Sequence, residues 1–317
     1  MNEIFFLIFA FLTVFLSIKL SIYADNLSKT SNISKAVIGG LLLAGVTSLP
    51  ELITCTSAVL LKNPLLAIGD ILGSNLFNIF ITALLDIIFI KKIYTTKTTN
   101  TNYLTYLILI INYLTIYLFI KGKINITILN IGLPTIVIII LYLIYIKLLP
   151  KNKEEQTKTK IKPIKNIKEK LLITSILMIA SSVLLTTFVN NIAGAHPSFS
   201  SGIIGAILLG ITTSLPEVIT FYTLISIDNY DLALQDIIGS NLFNLVVLSF
   251  TDIIYKTSPI YNEIDNNTTT IIFLGLIFII ISFLQNIRTK SISKLTYIIP
   301  SIIIVIIYIY FWFIGFI

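Results

Sequence analysis

The sequence has few of the residues that build disulfide-rich domains, transition-metal sites or soluble surfaces. Its 317 residues include one cysteine, one histidine and one tryptophan. The single cysteine, Cys55, excludes an internal disulfide. Charged residues make up only 12% of the chain, about half the fraction found in soluble domains. Hydrophobic residues make up 56% and occur in long runs, so the sequence predicts a polytopic membrane protein.

Polar or turn-rich breaks divide the chain into ten apolar segments. They lie near residues 3–24, 36–61, 64–90, 103–120, 124–148, 170–190, 201–226, 231–254, 269–286 and 295–316. We therefore predict an all-α membrane protein of ten transmembrane helices. Its predicted divisions are a first five-helix repeat at 1–148, a linker at 149–169 and a second five-helix repeat at 170–317.

The basic residues indicate how these spans are oriented. If the N-terminus is extracellular, 18 of the 22 Lys and Arg residues lie at cytoplasmic ends, and only Lys62, Lys121, Lys123 and Lys256 lie outside. The positive-inside rule then predicts a multi-pass cell-membrane protein with both termini extracellular and a cytoplasmic linker. The net charge of +7 is thereby explained without nucleic acid. The lipid bilayer is the expected partner, and no partner protein is evident.

The two halves of the chain are copies of one another at an offset of 166 residues. "TSLPE" at 47–51 recurs at 213–217, and "GDILGSNLFN" at 69–78 matches "QDIIGSNLFN" at 235–244 in eight of ten positions. Each half has five predicted spans, and an odd number inverts the second half across the membrane. Inverted repeats are typical of secondary transporters, with the binding site at the repeat interface near the midplane.

The acidic residues of the spans follow the same offset. They form three pairs, namely Glu51 and Glu217, Asp70 and Asp236, and Asp86 and Asp252. No Lys or Arg lies deep in a predicted span. A carboxylate in the bilayer interior is costly unless it is paired, protonated or hydrated, so protons, polar groups and bound cations are its available partners.

The "TSLPE" motif concentrates oxygen atoms in the middle of a span. Proline removes a backbone donor and frees a carbonyl one turn back. Thr47 and Ser48 add hydroxyls, and Glu51 adds a carboxylate on the same side of the resumed helix. Such hard oxygen ligands suit Na⁺ and Ca²⁺ better than zinc or copper. Glu51 and Glu217 together carry a formal charge of −2, which matches one Ca²⁺ or two Na⁺.

The second motif adds further ligands and close packing. Ser74 and Asn78 are four residues apart and share a helix face. Gly73 and Gly239 leave room for helices to approach closely. Small-residue packing is an alternative interpretation for Ser74 and for its repeat counterpart.

Both motifs resemble the alpha-repeats of the sodium/calcium exchangers, in the cation/Ca²⁺ antiporter superfamily. The resemblance covers about residues 37–80 and 203–246, and the ten-span layout fits the prokaryotic members. It implies Ca²⁺/Na⁺ exchange by alternating access, with no enzyme activity and no cofactor. The ion ligands that it implies are Glu51, Glu217, Thr47, Ser48, Thr213, Ser214, Ser74, Ser240, Asn78, Asn244, and the carbonyls of Ala44 and Gly210. Asn at both 78 and 244 favours K⁺-independent exchange.

Asp70 and Asp236 depart from the family, which often has Asn at these positions. They are further candidate ligands. One interpretation makes each a helix N-cap or first-turn acid. The other makes each a guard of one vestibule, Asp70 on the external side and Asp236 on the cytoplasmic side, that attracts cations.

Three other functions are alternatives to Ca²⁺/Na⁺ exchange. Ca²⁺/H⁺ exchange on the same scaffold remains open, because six membrane carboxylates could couple to protons. An intramembrane aspartyl protease needs two Asp residues that meet, whereas the inverted repeat separates Asp70 from Asp236. A passive channel fits charged midplane sites less well than alternating access does. Cys55 is interpreted as a packing residue and His196 as a solvated loop residue.

Overall fold

The computed structural model describes residues 2–93, 99–124, 126–150, 162–193, 209–287 and 293–315. Within these ranges, six continuous helices are long and apolar enough to cross a membrane. Two consecutive helical segments, 35–47 and 49–60, meet at a bend of 41° and together make a seventh candidate span. Two further apolar helices, Leu133–Leu148 and Leu215–Ser226, are shorter.

Each of the ten predicted segments contains helix among its described residues. The first half comprises α1 (Asn2–Thr30), α2 (Lys35–Val37), a π-helical stretch (Ile38–Leu43), α3 (Ala44–Thr47), α4 (Leu49–Leu60), α5 (Pro64–Ile88), α6 (Ile90–Ile93), α7 (Asn100–Ile120) and α8 (Leu133–Leu148). The second half comprises α9 (Ile167–Ala193), α10 (Gly210–Thr213), α11 (Leu215–Ser226), α12 (Tyr230–Ile254), a 3₁₀ turn (Ile260–Glu263), α13 (Asn266–Asn286) and α14 (Lys294–Gly315).

The fifth predicted span begins later than the sequence indicated. Residues 124–132 were assigned to it, but α8 starts only at Leu133. A two-stranded antiparallel hairpin, β1 (Thr127–Ile128) and β2 (Ile131–Gly132), precedes it. Leu129 and Asn130 turn the hairpin with φ of 53° and 64°, as a type I′ turn requires. The apolar segment 124–148 therefore contains a short hairpin followed by a helix, and hydropathy alone does not distinguish the two. The first residues of the seventh predicted span, 201–208, lie outside the described residues.

Helices α5 and α12 form the buried centre of the molecule and pack against each other. Around them lie α4, the π-helical stretch, α7, α13 and α14. Helices α1 and α9 are repeat counterparts and pack together at the periphery, where the Thr13 and Ser181 hydroxyls are 3.0 Å apart. Their outer faces expose large apolar side chains such as Phe11 and Ile176, as expected for helices that face lipid.

Glycines allow the broken spans to cross the central helices at very short range. A Cβ atom on Gly239 would lie 2.8 Å from the Gly40 Cα atom and 3.0 Å from the Gly40 carbonyl oxygen. A Cβ atom on Gly210 would lie 2.8 Å from the Ser74 backbone nitrogen and 3.0 Å from the Gly73 carbonyl carbon. The predicted close approach at Gly73 and Gly239 is therefore confirmed, and the two crossings are repeat-related.

Contacts between the ends of the helices sort the loops into two faces. On one face Ser34 donates to the Pro150 carbonyl, Asn26 accepts from the Ile164 backbone nitrogen, and Lys92 pairs with Asp228 at 2.7 Å. The opposite face has Asn130 donating to the Lys256 carbonyl at 3.2 Å. In each of these contacts the two chain ends are separated by an even number of spans, so both ends lie on the same face of the bundle.

The crossing at Gly239 generates a prediction about folding. We expect Gly239→Ala to lower the apparent unfolding temperature in detergent, because backbone atoms cannot yield to the new methyl group. Overpacking of this kind costs about 1–3 kcal/mol. The control is Gly45→Ala, where a Cβ atom would meet nothing within 4 Å and where helix propensity favours alanine. Equal unfolding temperatures for the two variants would contradict the tight crossing.

The two faces generate a prediction about topology. In a Cys55→Ser background, Lys165→Cys places a thiol in the linker and Lys256→Cys places one on the opposite face. Both side chains are exposed. We expect a membrane-impermeant maleimide to label intact cells at position 256 and not at position 165, because the excess of basic residues favours a cytoplasmic linker. The reverse pattern of labelling would invert the orientation.

Candidate cation-binding site

Two repeat-related breaks place a glutamate at the start of a resumed helix. The breaks fall at Ser48, with φ −90° and ψ 7°, and at Ser214, with φ −79° and ψ 3°. A proline follows each break within the first two helical positions. Glu51 and Glu217 then lie in the first turn of α4 and α11. Free backbone N–H groups and the helix dipole favour a negative charge there.

Both glutamates are fully buried and largely without partners. Neither oxygen of Glu51 accepts a hydrogen bond of ordinary geometry from the described residues, although the Thr213 hydroxyl lies beside it. Glu217 accepts from the Ser48 hydroxyl through Oε1 at 3.1 Å, while Oε2 accepts nothing from the described residues.

No basic side chain compensates these charges in the part of the chain that the structure describes. The ion pairs there join Lys29 to Asp25, Lys35 to Asp231 and Lys92 to Asp228, all at helix ends or in loops. Unpaired buried carboxylates are strongly unfavourable. The glutamate pair therefore requires protons or cations from solution.

Hydroxyl groups from opposite halves meet in two equivalent pairs beside the glutamates. Thr47 lies 3.2 Å from Ser240, and Ser74 lies 3.2 Å from Thr213. Ser74 donates to the Gly210 carbonyl at 3.1 Å. Each pair joins a broken span of one repeat to the central helix of the other, so the predicted residues of both halves converge.

An amide clamp that the sequence analysis did not identify joins α5 to α12. Asn75 donates to the Asn241 carbonyl at 3.0 Å, and Asn241 donates to the Asn75 carbonyl at 3.2 Å. Asn78 then donates to Asn241 Oδ1 at 2.9 Å, and Asn244 donates to Asn75 Oδ1 at 3.1 Å. All four contacts obey the repeat symmetry. The 166-residue offset between Asn75 and Asn241 was the available signal.

This clamp fixes the orientation of the two predicted asparagine ligands. A backbone carbonyl can only accept, so the Asn241 amide nitrogen faces the Asn75 carbonyl and its Oδ1 faces Asn78. The Asn78 nitrogen must therefore donate to Asn241, and its own Oδ1 is left as a buried acceptor without a donor among the described residues. The same holds for Asn244 Oδ1. Both amide oxygens are free to bind a cation.

The two aspartates of the central helices do not cap them. Helices α5 and α12 begin at Pro64 and Tyr230, so Asp70 and Asp236 lie in the second turn. The N-cap or first-turn interpretation is therefore wrong, because each helix begins six residues before its aspartate. Both carboxylates are fully buried and lie in the packed interior between helices.

The aspartates of the third pair have structural partners. Asp252 accepts from the Thr135 hydroxyl at 2.6 Å and from the Gly132 and Ile260 backbone nitrogens at 3.0 and 2.7 Å. Its counterpart Asp86 accepts from Tyr230 at 3.3 Å, from Gln285 at 3.2 Å and from Ser301 at 3.5 Å. Thr135 and Ser301 also differ by 166. These carboxylates tie peripheral elements to the central helices.

The remaining predicted residues fall into three groups. Ser214 Oγ is buried without a partner among the described residues, and the Ala44 carbonyl lies 3.4 Å from the Thr47 hydroxyl. Cys55 is buried, as a packing residue would be, but its thiol also contacts Asp70 Oδ2 at 3.4 Å. His196 lies outside the described residues.

The chemistry of the site follows from its oxygen donors. Within the described ranges no three His, Cys, Asp or Glu side chains form a metal-binding group. The arrangement offers two glutamates among neutral hydroxyl, amide and carbonyl oxygens, with the buried carboxylates of Asp70 and Asp236 nearby. Such a set suits a hard cation that is released again, since neutral oxygen ligands bind Na⁺ and Ca²⁺ without the permanence of thiolates or imidazoles.

Comparisons with known proteins find similar membrane proteins. The family described as "Sodium/calcium exchanger protein" matches residues 3–149 and 171–316. The chain is 28% identical over 230 residues to the "Uncharacterized membrane protein MJ0091" of Methanocaldococcus jannaschii, covering 70% of this chain and 71% of that protein. It is 26% identical over 247 residues to the "Inner membrane protein YrbG" of Escherichia coli strain K12, covering 75% and 74%.

A solved structure supports the fold. The structure of the sodium-calcium exchanger NCX_Mj soaked with Na⁺ and Sr²⁺ matches with a TM-score of 0.72 at 21% identity. The match covers 97% of this chain and 96% of that one. It confirms the predicted all-α membrane fold of ten helices in two inverted repeats.

The uncompensated glutamates generate a prediction about binding. We expect Ca²⁺ to raise the apparent unfolding temperature of the purified protein, because a ligand at about 100 times its Kd adds roughly 2.7 kcal/mol of stability. Glu51→Gln and Glu217→Gln should each lose most of this shift. The control Glu263→Gln changes an exposed carboxylate that bonds Tyr255 and Ser258 and should keep it. A full Ca²⁺ shift in Glu51→Gln would remove that residue from the site.

Proposed function

The chain belongs to the sodium/calcium exchanger protein family, and we propose that it is a secondary active antiporter that exchanges Ca²⁺ for Na⁺ across the cell membrane. The observation that carries this proposal is the pair of buried glutamates, Glu51 and Glu217, without basic partners. Two negative charges are balanced by one Ca²⁺ or by two Na⁺. Ions that compete for the same pair of carboxylates cannot bind together, and this competition is the basis of exchange.

The placement of the site supports alternating access. The ligands come from both repeats, and hydroxyl contacts such as Thr47 to Ser240 and Ser74 to Thr213 join the broken span of one repeat to the central helix of the other. A typical hydrogen bond contributes about 0.5–1.5 kcal/mol net, so these contacts let the broken spans move against the central helices at modest cost. A site at the interface of inverted repeats would open toward each side in turn.

The two carboxylates and the two amides have separate roles in this proposal. Glu51 and Glu217 carry the charge shared by Ca²⁺ and Na⁺. Thr47, Ser48, Thr213 and Ser214 provide hydroxyl or backbone oxygens, as Ala44 and Gly210 do through their carbonyls. Ser74 and Ser240 line flanking Na⁺ positions, and the free Oδ1 atoms of Asn78 and Asn244 complete the centre. Because both central residues are neutral, we propose K⁺-independent exchange.

The organisation of the chain is part of the same proposal. Residues 1–148 and 170–317 act as the two repeats, and 149–169 is a cytoplasmic linker between them. Both termini are extracellular. We expect no catalytic reaction and no cofactor, since the chemistry is the binding and release of ions.

Ca²⁺/H⁺ exchange is the second candidate. It draws on the six carboxylates of the spans, but the structure gives Asp86 and Asp252 hydrogen-bond donors that account for their burial. Four carboxylates then remain for proton coupling. The protease alternative gains no support, because Asp70 bonds to Thr213 and Cys55 and forms no aspartate dyad with Asp236.

Proteoliposome flux tests the proposed exchange. We expect an outward Na⁺ gradient to drive uptake of ⁴⁵Ca²⁺, and uptake to fall to background when Na⁺ is equal on both sides. Glu51→Gln and Glu217→Gln should reduce uptake at least about tenfold, because a loss of roughly 1.4 kcal/mol in binding already gives that factor. The control Glu169→Gln changes an exposed carboxylate near the linker and should transport normally.

A pH gradient separates the two candidates. Uptake driven by a pH gradient in the absence of Na⁺, and abolished by a protonophore, would replace Na⁺ with H⁺ as the coupling ion. Na⁺-driven uptake that survives the protonophore supports Na⁺ coupling. Normal Na⁺-driven transport in either glutamate variant would contradict the assignment of the shared carboxylates.

A further inference from the structure

The repeat-related carboxylates Asp70 and Asp236 occupy different environments. Asp70 accepts through both oxygens, from the Thr213 hydroxyl at 3.0 Å and from the Cys55 thiol at 3.4 Å. Neither oxygen of Asp236 accepts a hydrogen bond from the described residues. The two side chains are identical and both are fully buried, so the difference arises from their neighbours.

Substitution in the neighbouring helices explains this difference. The repeat counterpart of Cys55 is Phe221, which is buried and has no donor. The counterpart of Thr213 is Thr47, whose hydroxyl lies 3.1 Å from the Leu43 carbonyl and 3.2 Å from Ser240. No described contact joins Thr47 to Asp236. The second half therefore lacks the link that Asp70 makes in the first.

The single proton of Thr213 decides what its oxygen can bind. Its hydroxyl lies within hydrogen-bond distance of three acceptors, Asp70 Oδ1 at 3.0 Å, the Leu209 carbonyl at 2.9 Å and Ser74 Oγ at 3.2 Å. Glu51 also lies beside it but accepts no hydrogen bond of ordinary geometry from the described residues. A carboxylate is the strongest acceptor of the three, since charge-assisted hydrogen bonds are about twice as strong as neutral ones. Asp70 therefore draws the Thr213 proton away from Ser74.

The Ser74 hydroxyl does not donate its proton to the Thr213 oxygen either. It donates to the Gly210 carbonyl at 3.1 Å, and a carbonyl can only accept. The oxygens of Ser74 and Thr213 thus face each other at 3.2 Å with lone pairs on both sides. Such a contact becomes favourable when a cation lies against both oxygens.

The equivalent pair in the other half is arranged differently. Thr47 donates to the Leu43 carbonyl. The described hydrogen bond of Ser240 is its contact with Thr47, so the Ser240 proton lies between the two oxygens. One lone pair of Thr47 is then occupied, and this pair is a weaker cation ligand than the pair of Ser74 and Thr213.

We propose that Asp70 is a positioning residue that orients the Thr213 hydroxyl and makes the Ser74–Thr213 pair the stronger of two monovalent-cation positions. The two hydroxyl pairs are then unequal in Na⁺ affinity despite their identical residues. Asp70 need not touch the ion, because it acts through the proton of Thr213. This inference rests on the proposed binding of Na⁺ in this site.

A double-mutant cycle tests the coupling of Asp70 to Thr213. The measurement is the apparent Kd for Na⁺, taken from the rise in unfolding temperature of purified protein with Na⁺ in the absence of Ca²⁺. We expect Asp70→Asn and Thr213→Val each to weaken Na⁺ binding about tenfold, and the double variant to be no more than about twofold weaker than either. Coupled residues in contact give such non-additivity. Thr213→Ser, which keeps the hydroxyl, should bind Na⁺ within about threefold of the wild type.

The matched control is the repeat-related pair. Asp236→Asn and Thr47→Val should have effects that multiply in the double variant, since no described contact joins these residues. If Asp70→Asn acted only by removing negative charge near the glutamates, Asp236→Asn would weaken Na⁺ binding by a similar factor. The effects of Asp70→Asn and Thr213→Val would then multiply in the double variant. Multiplying effects for Asp70 and Thr213, or equal coupling in both pairs, would overturn the proposal. If Thr213→Val does not fold, Thr213→Ala removes the same hydroxyl and serves in the cycle.

The result is separable from the test of transport. If the mutant cycle shows this coupling between Asp70 and Thr213 but the wild-type protein shows no Na⁺-driven ⁴⁵Ca²⁺ uptake, the proposed exchange reaction is wrong and the role of Asp70 in Na⁺ binding stands. Wild-type protein that exchanges ions normally, with independent effects of Asp70 and Thr213, would sink the role of Asp70 alone.

Discussion

The structure is organised around two carboxylates that share an apolar interior with no cationic side chain in the described residues to neutralise them. An uncompensated charge in such surroundings costs several kcal/mol, so the empty and loaded states of the site differ strongly in energy. A lysine beside Glu51 or Glu217 would remove this cost and would also remove the need for an ion. The surrounding groups are hydroxyls, amides, carbonyls and the two further carboxylates Asp70 and Asp236, and none of these can take the place of a bound cation.

The duplication accounts for the way in which such a site is assembled. One repeat contributes one broken span with one glutamate, and the inverted copy brings the second glutamate to the same depth. The Asn75–Asn241 clamp consists of two reciprocal hydrogen bonds between repeat-related residues, and it holds α5 against α12. The crossings at Gly73 and Gly239 bring the breaks to these helices. The centre is therefore rigid where the central helices meet, and the broken spans are held to it by weaker hydroxyl contacts.

Much of this arrangement could be read from the sequence because its causes are local or periodic. The proline breaks, the four-residue spacing of Ser74 and Asn78, and the 166-residue offset each predict geometry directly. The Asn75–Asn241 clamp was missed because it depends on the register of two helices far apart in sequence. The partners of Asp252 lie in the hairpin and the 3₁₀ turn, and hydropathy had concealed that hairpin inside a predicted span. The start of α5 is set by a local contact instead, because the Asn63 side chain caps the helix by accepting from Leu66 N at 3.3 Å. Asp70 lies further along the helix and has no capping role.

Departures from the internal symmetry matter as much as the symmetry itself. Two identical inverted repeats would give inward-facing and outward-facing states of equal energy, because exchanging the roles of the halves would exchange the states. Cys55 opposite Phe221, and the bonded Asp70 opposite the unbonded Asp236, make the two halves chemically unequal at the centre. A contact that exists in one half alone and is made in only one of the two states stabilises that state relative to the other. A few substitutions in an otherwise repeated core therefore remove the symmetry that would make the two states of the proposed exchange equal in energy.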